Sequence, residues 1–190
     1  TLSDSQGAAE YEQLWQELAQ SEPVMEKRSL SVWGRSLQVP KSTSRVARFT
    51  FVQLCGEPRS AADYIALCKE FHAFFIDDIP HMNLDMRDWA RRFITFVDAA
   101  YESKARLFCT SEVEIMKVFS NTTTWDEMSS SQMRVLMDDL NMDMSDVGNS
   151  SIFSGQEELF AFARLLSRLS EMQTKPYADM SAQLYHLNAS

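Results

Sequence analysis

Glycine is scarce and scattered in this chain: the five in 190 residues, Gly7, Gly34, Gly56, Gly148 and Gly155, stand apart from one another. The pattern G-x-x-x-x-G-K-[ST] occurs nowhere, so the chain offers no glycine-rich backbone cradle for a triphosphate. No apolar run approaches the roughly 18 to 20 residues needed to cross a bilayer, and no signal peptide or Arg-rich transit segment opens the sequence. Lys and Arg never cluster beyond two or three residues, and the formal charge is -9. That balance argues against a nucleic-acid groove, which wants positive patches, and favours a protein or nucleotide partner. The three cysteines, Cys55, Cys68 and Cys109, are an odd set with no C-x-x-C, which argues against a disulfide framework and suits a reducing compartment. Covalent hydrolytic catalysis lacks its signatures too: there is no G-x-S-x-G, and His81 and His186 have no visible nucleophile to activate.

What is present is apolar bulk. Hydrophobic residues make up 45% of the chain and aromatics 11%, enough to bury one domain core. The most informative stretch is 71–111. Ala73 to Ile76 reads as a strand covered on both faces and ends in Asp77 and Asp78; a long amphipathic helix follows; Leu107 to Cys109 reads as a second buried strand ending in Thr110 and Ser111. Both polar ends fall at the carboxyl edge of the strands, where α/β sheets place ligands. An acidic pair there suits Mg²⁺ or a catalytic water, and a hydroxyl pair suits a phosphate.

Around this unit the periodicities predict further elements. Ala8–Gln20 is an amphipathic helix. Arg28–Val39 and Ser44–Leu54 read as strands, with a hairpin about Gly34. Ser60 and Asp63 mark the start of a helix reaching Phe71, and Asp85–Ser103 forms the long one, burying Trp89, Phe93, Phe96, Val97, Ala100 and Tyr101. Residues 112–119 add a short helix. Thr124 and Glu127 would cap a helix up to Leu140, and Ser154 and Glu157 one over Gln156–Met172 that Pro176 stops, with a last short helix over Tyr177–Leu187. The division is an N-terminal helix over 1–22, the tail of an upstream unit in one reading; an α/β domain over 23–119; a Ser-, Asn- and Met-rich insertion over 120–154; and C-terminal helices over 155–190 packing on the α/β domain. The fold class is α/β, a mixed sheet with flanking helices.

Several residues admit two readings. Arg91 and Arg92 either tether Asp88 or Asp98 in exposed ion pairs or deliver a charge-stabilising guanidinium to a nucleotide phosphate. Arg164 and Arg168, one turn apart, either lie on a salt-bridged polar face with Glu157 and Glu171 or hold an anion between them, from a phosphate or an acidic partner. Cys68 and His72 have metal-ligand spacing without a third ligand. Met116, Met128, Met133, Met137, Met142 and Met144 suit core filling or a pliable docking surface. The N-x-[ST] triplets at Asn121, Asn149 and Asn188 fit polar loops as well as glycosylation.

Four ordered blocks carry a family resemblance: F-T-F-V-Q-L-C-G-E-P-R-S-A-A-D-Y (49–64), F-I-D-D-I-P (75–80), R-D-W-A-R-R-F-I-T-F-V-D-A-A-Y (87–101) and L-F-A-F-A-R-L-L-S-R-L-S-E-M-Q (159–173). Together they resemble the C-terminal half of the ZapE-type, AAA+-related P-loop ATPases, which include the AFG1-like or lactation-elevated proteins. The resemblance covers most of 29–119 and 155–175 and lapses over 120–154. It implies that the phosphate-binding loop and the principal Mg²⁺ site lie upstream, and the start at Thr1 fits a fragment or a processed product. It further implies a full-length ATPase using ATP and Mg²⁺, with protein clients or neighbouring subunits as partners, homo-oligomeric and acting in protein remodelling or quality control. The expected location is mitochondrial for a eukaryotic source and the division site for a bacterial one. By the same resemblance Asp77, Asp78, Arg91 and Arg92 are the catalytic candidates, and Thr110, Ser111, Arg164 and Arg168 the nucleotide-sensing ones. The alternative is a non-catalytic interaction domain on the same scaffold.

Overall fold

The computed structural model describes residues 5–19, 22–119 and 156–187. The expected features of 120–154 lie outside the described residues, as do the three glycosylation triplets, Ser154 and the side chains of Glu157, Leu159 and His186. Five strands form one sheet in the order β1 (Met25–Val32), β2 (Arg35–Ser42), β3 (Val46–Thr50), β4 (Ala73–Ile79), β5 (Arg106–Ser111). The first three run antiparallel, while β3, β4 and β5 are parallel. The expected mixed α/β sheet with flanking helices is therefore what the chain forms.

Parallel neighbours need a crossover, and here each is a helix: α2 (Ala61–Glu70) joins β3 to β4, and α3 (Arg87–Glu102) joins β4 to β5. Both lie on one face of the sheet, with α4 (Gln156–Met172) packed on α3. Alternation along the strands sorts the side chains. Ala47, Phe49, Phe74 and Ile76 enter the large core with Tyr64, Leu67, Phe93, Phe96 and Leu165. Aromatic edges knit that core together, as in Phe74 on Phe96 at 5.2 Å and Tyr64 on Phe96 at 5.6 Å. The opposite face carries Val46, Ala73 and Phe75, which α1 (Ser5–Ala19) covers with Tyr11 and Trp15. Phe75 is gripped edge-on by both rings at 5.2 Å and stacks on Phe108 at 4.6 Å. Thus β4 is buried on both sides, as its continuous apolar run requires.

Three features differ from the sequence reading, each for a local reason. The strand expected to reach Leu54 leaves the sheet at Thr50, where the Thr50 N–H donates to Gln53 Oε1 and the Gln53 N–H to Thr50 Oγ1, at 2.9 and 3.2 Å. A π-helical turn over Val52–Gly56 follows. Second, β5 is half-buried rather than buried, because it is the edge of the sheet. Third, α4 ends at Met172 as expected, but the last helix starts ahead of the expected Tyr177: Pro176, rather than acting as a stop, occupies the first turn of α5 (Lys175–Leu187), where a missing N–H costs nothing. Thr174 prepares that start, its hydroxyl accepting the Tyr177 N–H at 3.4 Å.

The β1–β2 hairpin closes with Val32 opposite Arg35, so Trp33 and Gly34 are its two turn residues, both at positive φ (48° and 79°). Type I′ turns demand this and suit the right-handed twist of the strands, but favour Asn-Gly; holding a tryptophan in the left-handed region costs about 1–2 kcal/mol.

At the start of α2 the expected capping device is built around Asp63, whose carboxylate accepts the Ser60 N–H at 2.7 Å, the Ser60 hydroxyl at 2.9 Å and Arg35 Nη2 at 2.9 Å. Burial opposes its charge, but the Ser60 and Arg35 donors prevail and hold Asp63 below the usual carboxylate range. A depressed carboxylate contributes stability above its unfolded pKa that is lost as pH falls through the folded value. Asp63→Asn should therefore lower Tm at neutral pH and flatten its decline on acidification, as thermal melts between pH 7 and pH 3 would register.

Candidate functional site

The carboxyl edge of the parallel strands brings together four of the residues singled out in the sequence. Ile79 stands opposite Ser111, and a register shift between Ile76 and Ile79 places Asp77 and Asp78 beside Thr110. Within this group the roles separate. Asp77 continues the face of Ala73 and Phe75 and so points under α1, where it accepts the Tyr11 hydroxyl and Arg48 Nε, both at 2.8 Å. Arg48 also donates to Glu12 at 2.7 Å and lies against the Tyr11 and Trp15 rings. Burial works against the Arg48 charge, but Asp77 and Glu12 outweigh it and raise its pKa. Burial and then the Asp77 carboxylate drive the Tyr11 phenol far upward, so it remains a donor. Asp77 is thus a tether for α1.

Asp78 is the opposite case. It is exposed, sits at φ 60°, and its N–H donates to Thr110 Oγ1 at 2.9 Å. The bulge turns its side chain out of the period-two pattern while Thr110 satisfies the backbone. Ser111 is buried, its hydroxyl donating to the Val113 carbonyl at 2.5 Å.

Because α3 leads from the carboxyl end of β4 back to the amino end of β5, its first turns lie near this edge and its last turns at the far end of the sheet. Arg91 and Arg92 are in the near part. Arg91 is half-exposed and 3.6 Å from Asp88. Arg92 donates to the carbonyls of Cys55 and Gly56 at 2.8 and 3.4 Å. Arg59, which the sequence reading passed over, donates to the Gln53 carbonyl at 2.8 Å and the Glu57 carboxylate at 3.1 Å, and the Tyr64 hydroxyl to the Leu54 carbonyl at 3.0 Å. Four successive carbonyls of the π turn, orphaned by its shortness, are thereby satisfied by side chains.

Arg164 and Arg168 lie at the far end. The anion between them is Asp98 of α3: Arg168 donates to it and, at 3.0 Å, to Glu102, while Arg164 stands 3.8 Å away and is 57% exposed. Tyr101 and Phe160 flank the pair in a groove of about 410 Å³. The structure thus splits the candidates into an edge group and a groove group rather than one site.

As for metal chemistry, no group of three or more His, Cys, Asp and Glu side chains able to hold an ion occurs among the described residues. With Asp77 committed to Arg48 and Tyr11, these residues do not fit a self-contained Mg²⁺ site. Cys68, whose thiol burial pushes up to about 12, is no more than a core residue. No helix among the described residues is long and apolar enough to cross a membrane.

A family model described as AFG1-like ATPase matches residues 1–144. The chain belongs to the AFG1-like ATPase family. Curated relatives agree. An uncharacterized protein of Schizosaccharomyces pombe is 40% identical over 148 residues, 78% of this chain and 31% of its own length. Lactation elevated protein 1 homolog B of Danio rerio is 32% identical over 165 residues, 86% of this chain and 32% of its own length. Cell division protein ZapE of Escherichia coli K12 is 31% identical over 175 residues, 89% and 36% respectively. This member of the AFG1-like family thus spans about a third of the length of the relatives it matches. No solved structure matches it significantly.

The tether under α1 makes a measurable claim. Tyr11→Phe should lower stability by about 1 kcal/mol, and Arg48→Met by roughly 1–3 kcal/mol because it leaves Asp77 half-buried without its cation. Urea unfolding followed by far-UV circular dichroism, with a smaller loss for Arg48→Met than for Tyr11→Phe, would contradict this ranking.

Proposed function

We propose that this chain is one part of a longer ATPase and that the whole protein hydrolyses ATP with Mg²⁺, its phosphate-binding loop and main Mg²⁺ ligands lying outside this sequence. Family membership supports the activity, and one observation supports the site: Asp78 is held at positive φ, exposed, at the carboxyl edge of parallel strands, with its N–H taken up by Thr110. Strain of this kind is kept where neighbouring structure enforces it, and it concentrates at functional sites. In this reading Asp78 faces the nucleotide and orients the attacking water. Arg91, on the near turns of α3, is the arginine that reaches a phosphate, and Arg92 holds the π turn beneath it. Arg164, the looser of the groove pair, responds to nucleotide state or to an acidic neighbour, with Arg168 as its anchor. Protein clients or adjacent subunits are the partners. The work is protein remodelling or quality control, in mitochondria for a eukaryotic source and at the division site for a bacterial one.

A second reading, a non-catalytic interaction domain, draws on the internal use of Asp77, Arg92 and Arg168 as scaffold. Kinetics of the full-length protein distinguish the two. Asp78→Asn and Arg91→Ala should each lower kcat at least about tenfold, 1.4 kcal/mol of barrier, with Tm unchanged, whereas Arg92→Ala and Asp77→Asn should mainly lower Tm. The 190-residue chain alone should show no ATP turnover. Wild-type kcat in both Asp78→Asn and Arg91→Ala would overturn the assignment of the edge, and hydrolysis by the isolated chain would overturn the division of labour.

A further inference from the structure

β4 and β5 leave the sheet out of step with each other. Ile76 stands opposite Cys109 and Ile79 opposite Ser111, so two residues of β4, Asp77 and Asp78, face one of β5, Thr110. An extra residue of this kind is rare between parallel strands, and it takes backbone groups out of the ladder. Pro80 adds to the shortfall, because it has no N–H to offer.

The missing bonds come from the exit of β5. The Asp78 N–H donates to Thr110 Oγ1 at 2.9 Å, the His81 N–H to Glu112 Oε2 at 2.9 Å, and the Glu112 N–H to the Ile79 carbonyl at 3.0 Å. Both N–H groups that flank Ile79 and Pro80 are therefore held by side chains rather than by strand pairing. Asp78, His81 and Glu112 are exposed, and water would satisfy such N–H groups nearly as well, so what the two side chains add is direction more than stability. Direction matters at Asp78. Its φ of 60° is tolerated by Asp better than by most residues, yet it is left readily for extended backbone unless something holds it, and that change would swing the carboxylate away.

We propose that Thr110 and Glu112 are positioning residues: their side chains pin the backbone on either side of Ile79 and Pro80 and thereby fix where Asp78 presents its carboxylate. The family resemblance gives Thr110 to the nucleotide; the bond it makes gives it to Asp78. The inference rests on the reading of Asp78 as the group that orients the attacking water, while its backbone half is open to measurement without any catalysis.

Two experiments keep those halves apart. In the 190-residue chain, amide hydrogen exchange followed by NMR should show the Asp78 N–H exchanging at least about tenfold faster in Thr110→Val than in the wild type, with Thr110→Ser close to the wild type because it keeps the oxygen. The His81 N–H should respond in the same way to Glu112→Ala and be spared by Glu112→Gln. In the full-length protein, Thr110→Val should lower kcat for ATP at least about tenfold with KM within about twofold and Tm unchanged, Thr110→Ser should recover most of the rate, and Thr110→Val added to Asp78→Asn should cost nothing further. Unchanged Asp78 exchange in Thr110→Val would overturn the inference whatever the kinetics. So would a wild-type kcat in Thr110→Val beside a slowed Asp78→Asn, and there the reading of Asp78 would stand. A raised KM with kcat intact would overturn it in favour of direct contact between Thr110 and a phosphate, and losses that multiply in the double variant would make the two residues independent. A wild-type kcat in Asp78→Asn would overturn the reading of the edge and the inference together.

Discussion

Burial of β4 from both sides is the constraint on which the other features depend. A strand sealed between α1 and the α2–α3 layer has no access to water until its carboxyl end, so any charge that enters the seal has to be neutralised by protein. Asp77 lies inside that boundary and Asp78 beyond it. The single step between them separates a carboxylate bonded to Tyr11 and Arg48 from one presented to solvent. It also explains why Arg48 stands in the middle of β3: Val46, Arg48 and Thr50 share the α1 face, and Thr50 is in register with Asp77, which brings the guanidinium within reach of the carboxylate. The charge cluster is a consequence of covering the second face with a helix as polar as α1.

The same logic governs the arginines. The abrupt end of β3 at Thr50 forces a short π turn whose carbonyls have no helix to receive them, and Arg59, Tyr64 and Arg92 supply the donors. Arg92 is consequently committed before any ligand arrives. Its neighbour Arg91, one residue round the helix, stands 3.6 Å from Asp88 and stays half-exposed. At the other end of α3, Asp98 brings Arg164 and Arg168 together without an external anion. Like charges one helical turn apart are stable here because a carboxylate from the adjacent helix lies between them.

Much of the architecture was legible from residues alone, and the failures have identifiable causes. The alternation of β1 and β2, the apolar run of β4, the Ser60–Asp63 start of α2 and the arc on α3 each reflect a single dominant force, and the structure follows them, except that Tyr101 of that arc lines the groove rather than the core. The π turn was hidden because Phe51, Val52 and Leu54 have strand-like composition, while the stop signal lies in a reciprocal pair, Thr50 with Gln53, that no periodicity registers. Clustering of Asp77, Asp78, Thr110 and Ser111 followed from strand ends alone. Their division of roles did not, because it depends on the register shift before Ile79 and on which face α1 covers. Arg48 had a signal that went unused: a lone cation alternating with Val46 on a strand implies a carboxylate on the next strand, and Asp77 is there. Arg59 had no comparable signal, since its acceptors are main-chain carbonyls.

The placement of α3 ties these pieces into one mechanical unit. Its first turns hold Arg91 near the carboxyl edge of the parallel strands and Arg92 against the π turn; its last turns hold Asp98, Tyr101 and Glu102 against α4, while Tyr101 stacks on Tyr177 of α5 at 5.9 Å. A helix of 16 residues is about 24 Å long and is stiff over that length when one face is fully packed. Any shift imposed at the near turns must therefore be carried to the far ones or absorbed by breaking core contacts of Phe93 and Phe96, which dense packing resists. The interactions at the far end are of the kind that can rearrange: an arginine 3.8 Å from its carboxylate, a stacked tyrosine pair, and a partly open groove. Rigid transmission through α3 with an adjustable polar contact at its end is the arrangement by which a sheet edge can influence a surface remote from it.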